Sequence, residues 1–102
     1  MRPIRLREQA RDDLNDAAAY YDEHAAHMTL RFIEAYLVAE AYIAKHPATG
    51  SLRYANEDQL RELRFWLVSD FPYAVFYIDR PDFIDIVRVL HQASDIPQHL
   101  QH

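Results

Sequence analysis

The spacing of hydrophobic residues predicts one short strand, then two helices, then three strands along the chain. In residues 4–7, isoleucine and leucine alternate with arginine, which is the two-residue period of a strand. From Glu8 to about Glu23, and again from about Thr29 to Lys45, apolar residues recur every three or four positions, as on one face of an amphipathic helix. Thr29 is also the predicted N-cap of the second helix. A few residues connect the two segments, so we expect an antiparallel hairpin of helices.

Three further apolar segments, at residues 60–70, 73–79 and 83–91, have the composition and alternation of strands. The connections between them are short, which predicts an antiparallel meander. We therefore expect one α+β domain over residues 1–102, with the order β-α-α-β-β-β and the helical hairpin on one face of a small antiparallel sheet. The tail from about residue 97 is expected to fray.

The sheet face that the helices leave open is predicted to be unusually apolar. By the alternation along the strands, it carries mainly aromatic and branched side chains beside one arginine and one aspartate: Trp66, Tyr73, Val75, Tyr77, Val87, Val89, Arg64 and Asp85. An exposed apolar face of this kind is typical of a protein-binding surface. The alternative is that the C-terminal tail or a second copy of the chain covers it.

Composition and charge exclude several classes of site. The 102 residues include no cysteine and a single glycine, Gly50, which excludes disulfides, thiolate zinc sites and glycine-rich phosphate loops. No cofactor or metal is expected, since the six histidines do not have converging ligand spacing. There is no apolar segment of the roughly 18–20 residues that a membrane span needs, and no signal peptide, which predicts a cytoplasmic protein. A net charge of −5 gives no long-range attraction to nucleic acid.

Four basic residues on neighbouring predicted strands, though not all on one face, are the candidates for catalysis: Arg61, Arg64, Arg88 and His91. Such a cluster can bind phosphates, with the histidine as general acid or base. The alternative is structural, because the arginines have acids nearby with which to pair: Glu62, Asp85, Asp58 and Asp95. An acidic chain favours the structural alternative. Asp95 is in addition the predicted N-cap of a short terminal turn.

Taken in order, several motifs of the chain resemble the ParE branch of the RelE/ParE toxin superfamily. They are an Ala-x-x-Asp-Leu helix start at residues 10–14, the turn "HPATGS", the strands "LRELRFWLVSDFPYAVFYID" and the ending "IDIVRVLHQASDI". The resemblance extends over nearly the whole chain. It implies the RelE/ParE-like fold and the toxin of a type II toxin–antitoxin (plasmid stabilisation) system. A small cognate antitoxin neutralises such toxins, and those of the ParE branch inhibit DNA gyrase.

The RelE branch of the superfamily consists of ribosome-dependent mRNA endoribonucleases, from which the chain departs at two positions. Where those enzymes have a basic residue in the middle strand, the chain has Ala74, and after the last strand it has His91 followed by Gln92. A nuclease needs basic residues to stabilise its anionic transition state, so the departures favour a ParE toxin that is not an enzyme. The endoribonuclease, with the four basic residues above as its site, is the alternative, as is a weakly toxic member that binds its antitoxin.

A partner is expected on the open sheet face and the strand arginines, and an antitoxin segment can also cover the helical hairpin, as a helix in a groove or as an added strand. The predicted partner-binding residues are Trp66, Tyr73, Val75, Tyr77, Arg64 and Arg88. The resemblance implies the antitoxin and DNA gyrase as partners, and either a homodimer or a heterotetramer with the antitoxin. Direct binding of nucleic acid or membrane is not expected.

Overall fold

The computed structural model describes residues 1–56 and 60–101 of the chain, and its elements follow the predicted order. Their bounds are β1 Ile4–Leu6, α1 Glu8–His24, α2 Thr29–Lys45, β2 Arg64–Leu67, β3 Tyr73–Asp79, β4 Ile84–His91 and α3 Ile96–His99. Short 3₁₀ turns follow α1 at Ala26–Met28 and α2 at Pro47–Thr49. The α+β fold predicted from the sequence is therefore confirmed.

The four strands form one mixed sheet in the order β1-β4-β3-β2. β2, β3 and β4 make the predicted antiparallel meander, in which Phe65 lies opposite Phe76. β1 differs from the expected antiparallel arrangement because it lies parallel to β4, with Ile4 opposite Ile84. The helices and strands between them provide the long connection that a parallel pair requires. Alternation in the sequence specifies a strand but not its direction.

The two long helices form the predicted hairpin, with one change at their junction. Thr29 is the first residue of α2, and its predicted N-cap position belongs to Met28. The Thr29 hydroxyl instead donates a hydrogen bond to the Asp22 carboxylate of α1, with an O–O distance of 2.6 Å, and so joins the two helices. In the part of the chain that the structure describes, no helix is both long and apolar enough to cross a membrane.

The sheet has an apolar core on each face. The prediction of which face the helices cover was wrong, because they pack on the face that the sequence predicted to be open. The helices cover a core that includes five residues predicted for the open face: Trp66, Tyr73, Val75, Tyr77 and Val89. Val87 does belong to the core on the opposite face. A register shift between β3 and β4 at Phe76 and Tyr77 interrupts the alternation, so Val87 and Val89 lie on opposite faces. The central residues of β3 are in addition buried on both faces. The pattern therefore could not show which face the helices cover.

The second face of the sheet is covered by the chain itself, which was the alternative expectation. Strand residues Phe76, Val87 and Leu90 pack there against Ile96 and Leu100 of the C-terminal segment. The predicted N-cap is confirmed, because the carboxylate of Asp95 accepts a hydrogen bond from the Gln98 N–H at 3.4 Å. The segment that was expected to fray therefore forms a short helix followed by a buried leucine.

Candidate functional site

The turn after α2 encloses the hydroxyl group of Tyr77. This hydroxyl donates to the Pro47 carbonyl at 2.7 Å and accepts from the Gly50 N–H at 3.0 Å. The Gly50 carbonyl accepts a hydrogen bond from Nη1 of Arg64 at 2.8 Å. Burial raises the pKa of Tyr77, so its hydroxyl stays protonated and continues to donate. These four residues, the tyrosine clasp, join the end of α2 to β2 and β3.

Gly50 is required in the tyrosine clasp because there is no space for a side chain. A Cβ atom at this position would lie against the Tyr77 hydroxyl and 2.9 Å from both Arg64 Cβ and the Phe65 carbonyl oxygen. Its backbone has ordinary extended dihedral angles, with φ −66° and ψ 154°. The requirement is therefore for close approach of the backbone and not for a positive φ.

A second set of polar contacts holds α1 and the C-terminal segment against β4. Arg88 donates to the two carboxylate oxygens of Asp13 at 2.8 and 2.9 Å, and to the His99 carbonyl at 2.9 Å. Asp13 also accepts from the Val89 N–H at 2.9 Å. β1 pairs with β4 only at residues 84–86, so the Val89 N–H lies beyond the end of β1. The Asp13 carboxylate provides the acceptor that this backbone group needs. Asp13, Arg88, Val89 and His99 are called the arginine clasp.

The ion pair in the arginine clasp is largely shielded from water. The side chains of Arg88 and Asp13 are 14% and 13% exposed. The hydrogen-bonded carboxylate raises the pKa of Arg88 above its ordinary value, although burial acts in the opposite direction. Arg88 therefore has the structural role considered for it, with an acid from α1 as its partner in place of the acids near it in sequence.

Asp85 is a buried carboxylate on the β1–β4 edge that two arginines neutralise. Arg7 donates to it at 3.0 and 2.9 Å, and Arg80 donates at 3.2 and 3.1 Å. Burial alone would raise the pKa of Asp85, but the two guanidinium groups outweigh burial and lower it below its ordinary value. Asp58, another acid proposed as an arginine partner, lies outside the described residues.

The four basic residues of the endoribonuclease alternative do not converge on one site. Arg61 and Arg64 line a cavity of about 160 Å³ beside the tyrosine clasp. Arg88 and His91 line a different cavity, of about 320 Å³, beside α1. Ala74, which stands where the nuclease branch has a basic residue, is 1% exposed in the core of the second face. No common surface therefore presents these groups to one phosphate.

His91 ends the last strand through contacts with the residues that follow it. Its Nδ1 accepts from the Ala93 N–H at 3.0 Å, which places the proton of the neutral imidazole on Nε2. Its carbonyl accepts from the N–H and the hydroxyl of Ser94, at 3.0 and 2.6 Å. The ring packs edge-on against Tyr73, with the centroids 5.2 Å apart. These contacts explain why a strand that begins with branched residues ends on a histidine.

The residues predicted to bind a partner lie in three different environments. Val75 and Tyr77 are fully buried beneath the helices, so placing their side chains on an open surface was wrong. Arg64 and Arg88 belong to the two clasps. Trp66 and Tyr73 are partly buried, and Trp66 stacks on Tyr42 of α2 with the centroids 4.8 Å apart. The strands therefore offer less surface to a partner than their sequence indicated.

An exposed apolar surface lies instead on the outer side of α2. Five large apolar side chains, called the α2 stripe, are between 39% and 67% exposed: Leu30, Ile33, Leu37, Val38 and Tyr42. The residues of α2 that face the sheet are different ones, among them Phe32, Tyr36 and Ile43. The sequence does contain a signal for this surface. α2 has apolar residues around most of its circumference, which a helix with one face in water normally lacks.

An open groove lies beside the α2 stripe. It has a volume of about 460 Å³ and lies between α2 and the segment that connects β2 to β3. Apolar side chains including Met28, Val38 and Phe71 line it, together with the charged Arg31 and Asp70. An amphipathic helix binds to another protein by laying its apolar face into a hydrophobic groove.

Comparison with known proteins identifies the family. The sequence profile of the family described as "ParE toxin of type II toxin-antitoxin system, parDE" matches residues 4–96. The chain belongs to the ParE toxin family. A solved structure described as "Chromosomal ParDE TA system from P. aeruginosa" has a similar fold, with a TM-score of 0.72 and 13% identity, covering 89% of this chain and 96% of that one. No curated protein sequence matches the chain.

In this ParE fold, the motifs that carried the family resemblance contact one another. The His-Pro-x-x-Gly turn supplies Pro47 and Gly50 to Tyr77, which ends the Phe-Pro-Tyr-x-x-Phe-Tyr segment. Asp13 of the Ala-x-x-Asp-Leu helix start binds Arg88 of the Arg-Val-Leu-His ending. The motifs thus correspond to the two clasps, whereas the α2 stripe lies outside all of them.

Proposed function

We propose that this ParE family member is a single-domain cytoplasmic toxin that inhibits DNA gyrase by protein–protein binding, and that a cognate antitoxin neutralises it by covering the α2 stripe. The observation that carries the proposal is an exposed apolar helix face in a chain of a toxin–antitoxin family. Gyrase as the target rests on the resemblance to the ParE branch. The antitoxin surface rests on the geometry of α2.

The α2 stripe offers enough apolar area to order a flexible partner segment. Leu30, Leu37 and Val38 are 65%, 52% and 67% exposed. Full burial of such a side chain contributes about 1.5–3 kcal/mol. Covering the stripe and the adjacent groove therefore contributes several kcal/mol, which offsets the roughly 2–5 kcal/mol that ordering a disordered segment costs. An amphipathic helix with apolar residues three and four positions apart fits this surface.

The described residues support binding more than catalysis. The guanidinium group of Arg88 is engaged by a carboxylate and a carbonyl, and the other candidate arginines line a different cavity. Nothing in this arrangement favours the endoribonuclease over a toxin that acts by binding. The proposal therefore retains the non-enzymatic toxin.

The antitoxin surface can be tested by changing the α2 stripe and leaving the clasps intact. The double variant Leu37→Glu/Val38→Glu is compared with Leu52→Glu, which alters a leucine of similar exposure (47%) outside α2. Each chain is produced together with the protein encoded by the adjacent reading frame, and complex formation is measured by co-purification and size-exclusion chromatography. We expect the stripe variant to lose the complex and the Leu52 variant to keep it. Equal retention by both variants would place the antitoxin elsewhere.

The target is tested separately with purified DNA gyrase. Wild-type toxin is expected to inhibit supercoiling of relaxed plasmid, and addition of the antitoxin is expected to restore it. Unchanged supercoiling at a large molar excess of toxin would reject gyrase as the target. Cleavage of ribosome-bound mRNA by the toxin would support the endoribonuclease in its place.

A further inference from the structure

The cavity beside α1 is lined in part by side chains that belong to neither clasp. Its volume is about 320 Å³, and α1, the ends of β3 and β4, and the C-terminal segment surround it. Beyond the arginine clasp, its main lining side chains are Asp16, Tyr20, Tyr73, His91 and Ser94. It shares no lining residue with the groove beside the α2 stripe. It is therefore a surface separate from the one proposed for the antitoxin.

The charged side chains around this cavity determine which sign of charge a ligand should carry. Arg88 and Asp13 neutralise each other in a bidentate pair, and Arg88 also donates to the His99 carbonyl. An anion would have to displace these bonds to reach the guanidinium group. The side chain of Asp16, by contrast, forms neither a hydrogen bond nor an ion pair with the residues that the structure describes. The uncompensated charge of the cavity is thus negative.

The aromatic side chains of the cavity also favour a positively charged ligand. Tyr20 is 53% exposed, so although its ring stacks on His24 with the centroids 4.3 Å apart, part of this side chain is accessible from solvent. Tyr73 and His91 also line the cavity and form an edge-on pair with their centroids 5.2 Å apart, and Tyr73 packs in addition against Phe32 of the core. Faces of aromatic rings attract cations through their quadrupole, and a carboxylate close to them strengthens the attraction.

The long-range field of α1 adds to this preference. The helix contains six acidic residues and one arginine, a formal charge of −5, which equals the net charge of the whole chain. A surface of one sign raises the local concentration of oppositely charged groups and speeds their association. The cavity lies directly on this helix, with Asp13, Asp16 and Tyr20 in its lining.

We propose that this cavity receives one arginine or lysine side chain from a protein partner. The carboxylate of Asp16 binds the cationic group, and the rings of Tyr20 and Tyr73 contact it from the sides. The site goes beyond the proposed antitoxin surface and does not depend on it, because the two share no residue. A partner that binds here carries a basic residue on an exposed segment.

The proposal is tested by nuclear magnetic resonance on the full chain, with N-acetyl-arginine amide as the probe. N-acetyl-citrulline amide, which has nearly the same shape without the charge, is the neutral control, and putrescine represents a free small-molecule cation. We expect the arginine probe to shift the ring signals of Tyr20, Tyr73 and His91, with a dissociation constant on the order of millimolar for one exposed ion pair with aromatic contacts. The citrulline probe is expected to leave these signals in place.

Two matched variants show whether Asp16 is responsible. Asp16→Asn is expected to weaken binding of the arginine probe by roughly threefold, whereas Asp12→Asn, on the same helix outside the cavity, should leave it unchanged. Equal shifts with arginine and citrulline probes, or equal weakening by the two variants, would overturn the cation site. Tighter binding of putrescine than of the arginine probe would overturn the assignment to a protein partner.

Discussion

The two clasps and the α2 stripe divide the molecule into a part that holds the fold and a part for which we propose a partner. The clasps are polar, internal and built from residues far apart in sequence: Asp13 and Arg88 are 75 residues apart, and Gly50 and Tyr77 are 27 apart. The stripe is apolar, exposed and contained within one helix. Motifs that identify the family coincide with the clasps. The motifs of a ParE chain therefore indicate how the chain folds. A candidate binding surface has to be located from the solvent exposure of apolar side chains.

The largest expected effect comes from breaking the tyrosine clasp with Gly50→Ala. The new Cβ would meet the Tyr77 hydroxyl, Arg64 Cβ and the Phe65 carbonyl, and all three belong to residues of packed strands. Overpacking combined with loss of the clasp hydrogen bonds is expected to reduce the free energy of unfolding by about 3 kcal/mol. Urea denaturation followed by circular dichroism measures it. Ala48→Gly, at an exposed position of the same turn, is the control, and an equal loss for both would refute the packing argument.

The arginine clasp predicts a smaller effect for Asp13→Asn. The substitution keeps the size of the side chain but leaves the largely buried Arg88 without its negative partner. The expected loss in the free energy of unfolding is about 2 kcal/mol, and the Val89 amide should exchange its proton faster because its acceptor is weakened. Asp12→Asn, one position earlier and exposed, should change stability by less than about 0.5 kcal/mol. Indistinguishable stabilities for the two variants would show that the clasp does not contribute.

The clasps also show where sequence reasoning reaches its limit. Local periodicity located both long helices and the three strands of the meander, because those elements depend on neighbours three or four residues away and on alternation. It did not show that β1 is parallel to β4, or which sheet face the helices cover, since both depend on contacts between distant segments. The sequence predicts Tyr77 on an open surface because its bonds to Pro47 and Gly50 have no local signature. Periodicity also could not show which apolar residues of α2 form the exposed stripe, because apolar side chains lie around most of the circumference of this helix.

Acid should weaken the β1–β4 edge through Asp85. Because Arg7 and Arg80 lower the pKa of Asp85 in the folded chain, its contribution is complete above the unfolded pKa of about 4 and is lost as the pH falls towards the folded value. Both arginines are about 40% exposed, so solvent screening limits the contribution to about 1 kcal/mol. Unfolding free energies measured between pH 7 and pH 3 should fall less steeply in Asp85→Asn than in the wild type. Parallel curves would mean that another carboxylate controls the acid response.

The smallest expected effect is that of an isoleucine-to-valine substitution in α2. The same substitution can be made on the buried side and on the exposed side of this helix, so it compares the interior with the stripe directly. Ile43→Val removes a methylene from a side chain with 0% exposure, and Ile33→Val removes the same group from one with 40% exposure. The interior change should cost about 1 kcal/mol of unfolding free energy, whereas the stripe change should cost only a few tenths. Equal losses would mean that the stripe is packed in solution and closed to a partner. A clear difference would mean that the apolar residues of the stripe contribute little to the stability of the free chain, as expected for the partner surface that we propose.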